Sequence, residues 1–353
     1  MEKKTAPEGI RILLTGGSGF LGGAMIRELL DPSPVFPVAE LRILDTAPPD
    51  AADDSRVLWI KGDVRDPDAV SGAVQGVDLV FHSAAIVDWG TRSEEEIMGV
   101  NVEGTRNVVE ACRENGVKAL VYTSSLDVLF SGLPLRQVDE SAPYPAKHGS
   151  SYCVSKYQAE KLVLESNGDG MKTCSLRPAD IYGEGDPYHL GNLIGMARKG
   201  FYIRLGDGSS SCQHVYVGNV AHAHLLAARA LMGENGRVAG QAYFVTDGPG
   251  TNFFSFFDRF VSGAGYRIWP RNLWLPRRLA YTLGVISEGV AVLVRPVWKY
   301  RPKLSRFAVV YTCTDYTFSS DRARRDFGFV PKYSEEEAYR RTVDHFRKPR
   351  PAP

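Results

Sequence analysis

The stretch LLTGGSGFLGG, Leu13 to Gly23, constrains this chain more than any other. It places Gly16, Gly19 and Gly22 at three-residue intervals between an apolar run, IRILL, and a helical stretch, LGGAMIRELL. A backbone amide can approach a pyrophosphate closely only where no Cβ stands in the way, and a helix N-terminus adds partial positive charge there. Glycines between a strand and a helix at the start of a βαβ unit are the setting in which such a trio binds a dinucleotide. Phe20 and Leu21, at the start of the helix, are counted with the glycines as cofactor-binding. No Gly-Lys-Ser/Thr follows, so a Walker-type phosphate loop is excluded.

The rest of the first half supports that setting. LRILD, VLWIKGD, VDLVFHSAA, KALVYTSS and KTCSLRP read as strands. PDAVSGAVQG, EEEIMGVNVEGTRNVVEACRENG and the segment after Gly149 read as helices. This alternation builds an α/β fold, a doubly wound parallel (Rossmann) sheet covered on both faces, with ligands beyond the carboxyl ends of the strands. After about Asp186 the pattern loosens and helices dominate. QAYFVTDG reads as one more strand from the second half. The expected organisation is a nucleotide-binding domain over 8–186, regaining segments near 212–247. A smaller, mostly helical, discontinuous substrate region follows over 187–350.

Asp45 ends the second strand, 23 residues after Gly22. A carboxylate there can accept hydrogen bonds from the adenosine ribose hydroxyls and would repel a 2′-phosphate. The following TAPPD holds no arginine for such a phosphate, so NAD is expected rather than NADP. The other role for an Asp at this place is to cap a turn.

With 353 residues the chain is long enough for about two domains. A formal charge of +1 gives no basic field for nucleic acid. Five scattered cysteines form neither a CxxC pair nor a disulfide framework, which favours a reducing compartment and a cytoplasmic location. The longest apolar stretch, Leu279 to Val294, contains Glu288 and is too short to span a bilayer. Leu279, Leu283, Ile286, Val290 and Leu293 fall on one helical stripe within it. Arg277, Arg278, Arg295, Lys299 and Arg301 flank the stripe. Two expectations follow: a helix packed into the substrate region, or one that seats residues 273–301 on a membrane surface.

Tyr152 and Lys156 stand four apart after a Gly-Ser-Ser break, so both lie on one face of a helix. A free phenol, with a pKa near ~10, is a poor base at neutral pH, and a nearby ammonium favours the phenolate.

With TGGSGFLGG, FHSAA, NVEGT, YTSS and YCVSK in this order, the chain resembles the extended short-chain dehydrogenase/reductase superfamily. LRPADIYGEGD, HVYVGNVAHAHLLAARAL, GQAYFVTDG, RPKLSR and the FSSDRARRDFGFVPKYSEEEAYRRT tail are similar, within it, to the 3β-hydroxysteroid dehydrogenase family. That family includes enzymes that dehydrogenate 4-carboxylated sterols. The resemblance runs from about Arg11 to Arg347. It implies a catalytic trio of Ser125, Tyr152 and Lys156, with Ser124 as the less favoured serine. It also implies that Asp63 and Val64 hold the adenine, that Ala84 and Ala85 pass along the cofactor, and that Pro178 sits beside the nicotinamide. Tyr152 and Lys156 then also touch the cofactor, and Asn101 supports the site through water. The implied activity is NAD-dependent oxidation of a sterol or steroid 3β-hydroxyl, with loss of CO₂ where a 4-carboxylate is present. A homodimer is left open.

Three other functions share parts of this pattern. A nucleotide-sugar epimerase or dehydratase shares the first half, but SSSCQHVYVGN lacks the Arg-Asp pair such enzymes carry there. A reductase of non-steroid ketones, such as β-keto acids or flavonoid-like compounds, shares most motifs. An NAD-sensing regulator would not need the Tyr-Lys pair. No metal is expected. His222 and His224 point to different helix faces, and no cysteine or carboxylate in sequence completes a ligand set around His214. His82 reads as a packed strand residue, and Cys153 lies off the Tyr152 face.

Overall fold

In β1 (Ile10–Thr15), Ile12 and Leu14 enter one apolar layer and Leu13 the opposite one. A strand buried on both sides needs an unbroken apolar run rather than alternation, which is what IRILL supplies. The computed structural model describes residues 9–50, 53–89, 92–233, 236–294 and 304–347. After β1 come α1 (Phe20–Leu29), β2 (Val38–Asp45), β3 (Val57–Lys61), α2 (Pro67–Val74) and β4 (Leu79–His82). The long helix is α3 (Glu94–Met98) running through a π-helical turn, Gly99–Glu103, into α4 (Gly104–Glu114). Then follow β5 (Ala119–Thr123), a 3₁₀ turn at Leu126–Leu129, β6 (Leu135–Val138), α5 (Ser151–Glu165) and β7 (Lys172–Pro178). Local chemistry sets the starts: Asp66 caps α2 with Pro67 in its first turn, and Ser150 of the Gly-Ser-Ser break caps α5.

The second half runs β8 (Asp180–Tyr182), α6 (Leu190–Arg198), β9 (Arg204–Leu205), β10 (His214–Tyr216), α7 (Val217–Met232) and β11 (Gln241–Val245). It continues with α8 (Phe253–Gly263), β12 (Trp274–Leu275), α9 (Arg277–Val294), α10 (Arg306–Thr312), β13 (Tyr316–Phe318), α11 (Asp321–Phe327) and α12 (Glu335–Phe346). Of three two-stranded parallel ladders, β8 with β10 and β9 with β12 lie within this region, and β6 with β13 stitches it to the first half.

The main sheet has seven parallel strands in the order β11-β7-β5-β4-β1-β2-β3. The order reverses between β1 and β4, so a crevice opens beyond their carboxyl ends. Apolar residues of α1 and α7 join one face of the sheet, and those of α2, α4 and α5 the other.

The stripe on α9 faces outward. Leu279, Leu283, Ile286, Val290 and Leu293 are each at least 41% exposed. The inward face is built from small residues: Ala280 is fully buried, and a Cβ on Gly284 would stand 3.0 Å from the Arg306 amide nitrogen. Close approach to α10 is what fixes the helix, and Glu288 accepts from the Arg306 backbone N–H at 2.7 Å. The helix is thus packed against α10 through its small-residue face, with the apolar stripe left outside that contact. Arg295, Lys299 and Arg301 lie outside the described residues. Among those residues, no helix is long and apolar enough to cross a membrane.

Candidate active site

The crevice between β1 and β4 depends on two glycines. Gly16 holds a φ of 75°, and a Cβ there would sit 2.7 Å from the Ala84 backbone. A Cβ on Gly22 would stand 2.1 Å from the Gly16 carbonyl oxygen. The loop after β1 therefore packs directly on the loop after β4, and α1 starts directly over it. A cavity of about 580 Å³ runs from here along the strand ends. Gly16, Gly19, Phe20, Leu21, Gly22, Asp45, Asp63, Val64, Ala84, Ala85, Ser125, Tyr152, Lys156 and Pro178 all line it, as does Ser124.

At one end Asp45 serves the loop itself. Its carboxylate accepts from the Ser18 N–H at 3.0 Å and from the Ala47 N–H at 3.2 Å. An arginine does reach this end, from outside the stretch after Asp45. Arg65 lies 2.6 Å from Asp63, and its hydrogen bond holds that carboxyl below the usual range. Val64 is fixed by Gly104, whose missing side chain leaves it room, and by Asn107 donating to the Val64 carbonyl at 2.9 Å.

At the other end α5 brings Tyr152 and Lys156 up to the end of β5. Lys156 Nζ donates to the Thr123 carbonyl at 2.6 Å and lies 4.5 Å from the centre of the Tyr122 ring. Burial brings its ammonium down to about 7, although Glu160 and Asp127 pull it up. The Tyr152 phenol is pushed well above its ordinary value by burial, then by the charge of Asp127, while the Ser125 hydroxyl pulls it down. Burial and a carboxylate thus dominate where the sequence led to the expectation of a cation. Ser125 is the serine that meets the phenol. The Ser124 hydroxyl is buried without a hydrogen-bond partner among the described residues.

Asn101 sits in the π-helical turn, a distortion common at functional sites. Its amide clamps the chain directly. It donates to the Ile86 carbonyl and to Ser155 Oγ, both at 2.9 Å, and accepts from the Ile86 N–H at 2.7 Å. These contacts hold Asn101 against Ile86 and α5.

Folding adds residues that no motif marked. Asp127 is buried beside Ser125, and burial carries its carboxyl up to about 7. Asp180, from β8, accepts from the Tyr311 hydroxyl at 2.6 Å. Trp89 meets Phe307 and Tyr311 edge-to-face, those two are tilted on each other, and together they wall the same cavity. Their only common signal is being aromatic or acidic, which is too weak to find them. The structure also corrects the picture around His214. Asp180 and Cys212 stand beside it, with ligand-capable atoms of all three within 4.8 Å of one another. They come together through β8–β10 pairing, which sequence spacing does not reveal. His224 is a satisfied core residue bonded to Thr123 and Val220, and His82 is bonded to Thr15 and Thr105.

Residues 13–276 match the 3-beta hydroxysteroid dehydrogenase/isomerase family. The chain belongs to that family. The human 3 beta-hydroxysteroid dehydrogenase type 7 is 38% identical, with 94% of each chain covered. An Arabidopsis thaliana 3beta-hydroxysteroid-dehydrogenase/decarboxylase, isoform 1, is 35% identical over 95% of this chain and 79% of its own length. Among solved structures, the dTDP-glucose 4,6-dehydratase of Streptomyces venezuelae superposes with a TM-score of 0.75 at 21% identity, covering 96% of this chain and 97% of its own, which shows the shared fold. As a member of the 3-beta hydroxysteroid dehydrogenase/isomerase family, the protein is an NAD-dependent oxidoreductase, which removes the regulator from the alternatives. The residues present fit that cofactor. A side chain at Gly16 or Gly22 would run into the backbone of the cradle, so both positions stay clear for a pyrophosphate.

Proposed function

We propose that this protein oxidises the 3β-hydroxyl of a sterol or steroid. The observation that carries this reading is the meeting of Ser125, Tyr152 and Lys156 with the aromatic wall of Trp89, Phe307 and Tyr311 in one cavity. A flat apolar ring system suits that wall, and a secondary alcohol suits the trio. The 3β-hydroxysteroid names of the human and Arabidopsis relatives point the same way.

The glycine cradle would hold the pyrophosphate, Asp45 the adenosine ribose, Asp63 and Val64 the adenine edge, and Ala84, Ala85 and Pro178 the nicotinamide half. NAD, when bound, would supply the hydride acceptor and a positive charge that favours the Tyr152 phenolate. Once ionised, Tyr152 takes the hydroxyl proton on its phenolic oxygen. Ser125 fixes the substrate oxygen in line with that phenol, and Lys156 supplies donors and charge beside it. Residues 8–186 with 212–247 then carry the cofactor, and the remainder of 187–350 carries the substrate.

The test is a cofactor and substrate panel followed by absorbance of the reduced nicotinamide: NAD or NADP with 3β-hydroxysteroids, a 4-carboxysterol, β-keto acids and UDP-sugars. Turnover with the steroids is expected, with CO₂ release from the 4-carboxysterol. Turnover with UDP-sugars alone would end the sterol reading.

The exposed stripe of α9 supports a second point: that the protein works on the cytoplasmic face of a membrane, where apolar substrates dissolve. Arg277 and Arg278 sit at the start of the stripe and suit anionic headgroups. Ile286→Lys with Leu283→Lys should abolish co-sedimentation with anionic vesicles and leave the melting temperature in place. Unchanged sedimentation would refute this.

A further inference from the structure

Two residues after Ser125 stands a carboxylate that has no part in the mechanism above. Ser125 Oγ donates to Asp127 Oδ2 at 2.6 Å, and the Asp127 backbone N–H donates back to Ser125 Oγ at 3.2 Å. Asp127 is 7% exposed and lines the cavity with Ser125 and Tyr152. Its other oxygen, Oδ1, has no hydrogen-bond partner among the described residues.

A serine hydroxyl owns a single proton, and an ionised carboxylate can only accept. While Asp127 is ionised, the Ser125 proton is committed to Oδ2, and Ser125 turns only lone pairs towards the cavity. Once Asp127 is protonated, it can donate to Ser125 Oγ, and the serine proton becomes free for a ligand.

We propose that Asp127 is a positioning residue that sets the polarity of the Ser125 hydroxyl and thereby makes the site distinguish a hydroxyl from a keto oxygen. This rests on the assignment of Ser125 to the substrate oxygen made above. With Asp127 ionised, Ser125 can only accept, so it holds an alcohol in a resting complex whose proton is diverted from Tyr152, and it repels a carbonyl oxygen. With Asp127 protonated, it donates to a carbonyl oxygen, or to the oxygen of an alcohol whose own proton points at Tyr152. Release of the Asp127 proton to solvent through the cavity after oxidation therefore loosens the ketone product.

The groups facing Asp127 come from every element packed around it. Ser125 shares its turn; Tyr152, Cys153 and Lys156 come from α5, Asp180 from β8 and His189 from the residue before α6. Tyr311 comes from α10 and Tyr316 from β13. Burial outweighs them and brings the carboxyl up to about 7, the Ser125 bond opposes this, Asp180 adds to it, and His189 and Lys156 oppose it. The switch therefore falls within an ordinary buffer range.

The test uses the full chain in two unreactive combinations. A saturated 3-ketosteroid is titrated into the NAD-loaded protein, and the matching 3β-hydroxysteroid into the NADH-loaded protein, from pH 5.5 to 9. Ketone affinity relative to alcohol affinity is expected to fall about tenfold as pH rises, the size of one hydrogen bond gained or lost. The dependence should vanish in Asp127→Asn and in Ser125→Ala. A flat wild-type ratio, or one that keeps its slope in both variants, overturns the proposal. An infrared titration needs no steroid. A carboxyl C=O band should grow as pH falls, be absent in Asp127→Asn, and shift in frequency in Ser125→Ala; an unshifted band overturns the proposal. If neither steroid binds, the sterol reading fails, and the infrared result still decides the Asp127–Ser125 link.

Discussion

Lys156 Nζ lies 2.6 Å from the carbonyl oxygen of Thr123, at the last residue of β5, and donates to it. The amine is thus tethered to the sheet it serves, at the cost of burial. Between about 7, its value in the fold, and the ordinary 10.5, the unfolded chain holds a proton that the folded chain does not. Stability contributed by this group therefore rises with pH across that window. Urea unfolding at pH 7 and 9.5 should show a smaller gain in Lys156→Met than in the wild type. An equal gain in both would mean the lysine is charged throughout.

Tyr152→Phe keeps the ring and removes the atom that takes the substrate's proton. Turnover should fall by about 10² to 10⁴, the range of a lost general acid–base group. NAD affinity, measured by quenching of tryptophan fluorescence, should change by less than about threefold. A comparable loss of affinity would make the phenol a binding group.

Asp45 binds the glycine loop through Ser18 and Ala47, so its replacement acts on cofactor choice and loop shape together. Asp45→Ala should lower kcat/KM for NAD and raise NADP use relative to NAD by about tenfold, the worth of one charge–phosphate conflict of ~1.4 kcal/mol. Steady-state kinetics with both cofactors gives the ratio. An unmoved ratio would leave Asp45 as a turn cap alone.

Glu160 is fully buried and accepts from Tyr144, Ser175 and Arg177, the last at 2.7 Å. Glu160→Leu strands the Arg177 guanidinium in the interior. A loss of about 3 to 5 kcal/mol is expected in urea unfolding, as for other buried pairs broken on one side. A loss below ~1 kcal/mol would show that the guanidinium finds water.

His82 and His224 are buried and bonded to threonines, and burial holds them near 3 and near 4. As pH falls below the ordinary 6.5, the unfolded chain takes up protons that these rings refuse. Their contribution to stability is lost progressively from pH 6.5 downward. His82→Gln should fall less steeply between pH 6.5 and 4.5, measured by melting temperature, even if it starts lower. An identical slope would remove His82 from acid unfolding.

The sheet and the glycine crevice were legible because each follows from local rules: unbroken apolar runs, glycines at a turn, and a Ser-capped helix with Tyr152 and Lys156 on one face. What escaped is what only closure of the fold creates. Asp127 two residues after Ser125 reads as a turn acid until its burial is known. Asp180, Cys212 and His214 meet because β8 and β10 pair, and nothing in their spacing requires it. The stripe on α9 was visible as a period, but a period does not say which side is inward. The small residues Ala280 and Gly284 decided that. The tuning of Tyr152 was drawn from one neighbour, while burial and Asp127 act on it more strongly.

The seventh strand of the sheet, β11, shields the flank of β7. A fragment ending soon after Pro178 would keep Ser125, Tyr152 and Lys156 and still leave a naked row of amides and carbonyls along β7, a template for sticking to its own copies. The chemistry of this protein is thus not portable as a cut-down catalytic half: its solubility is written into residues some sixty positions further along the chain.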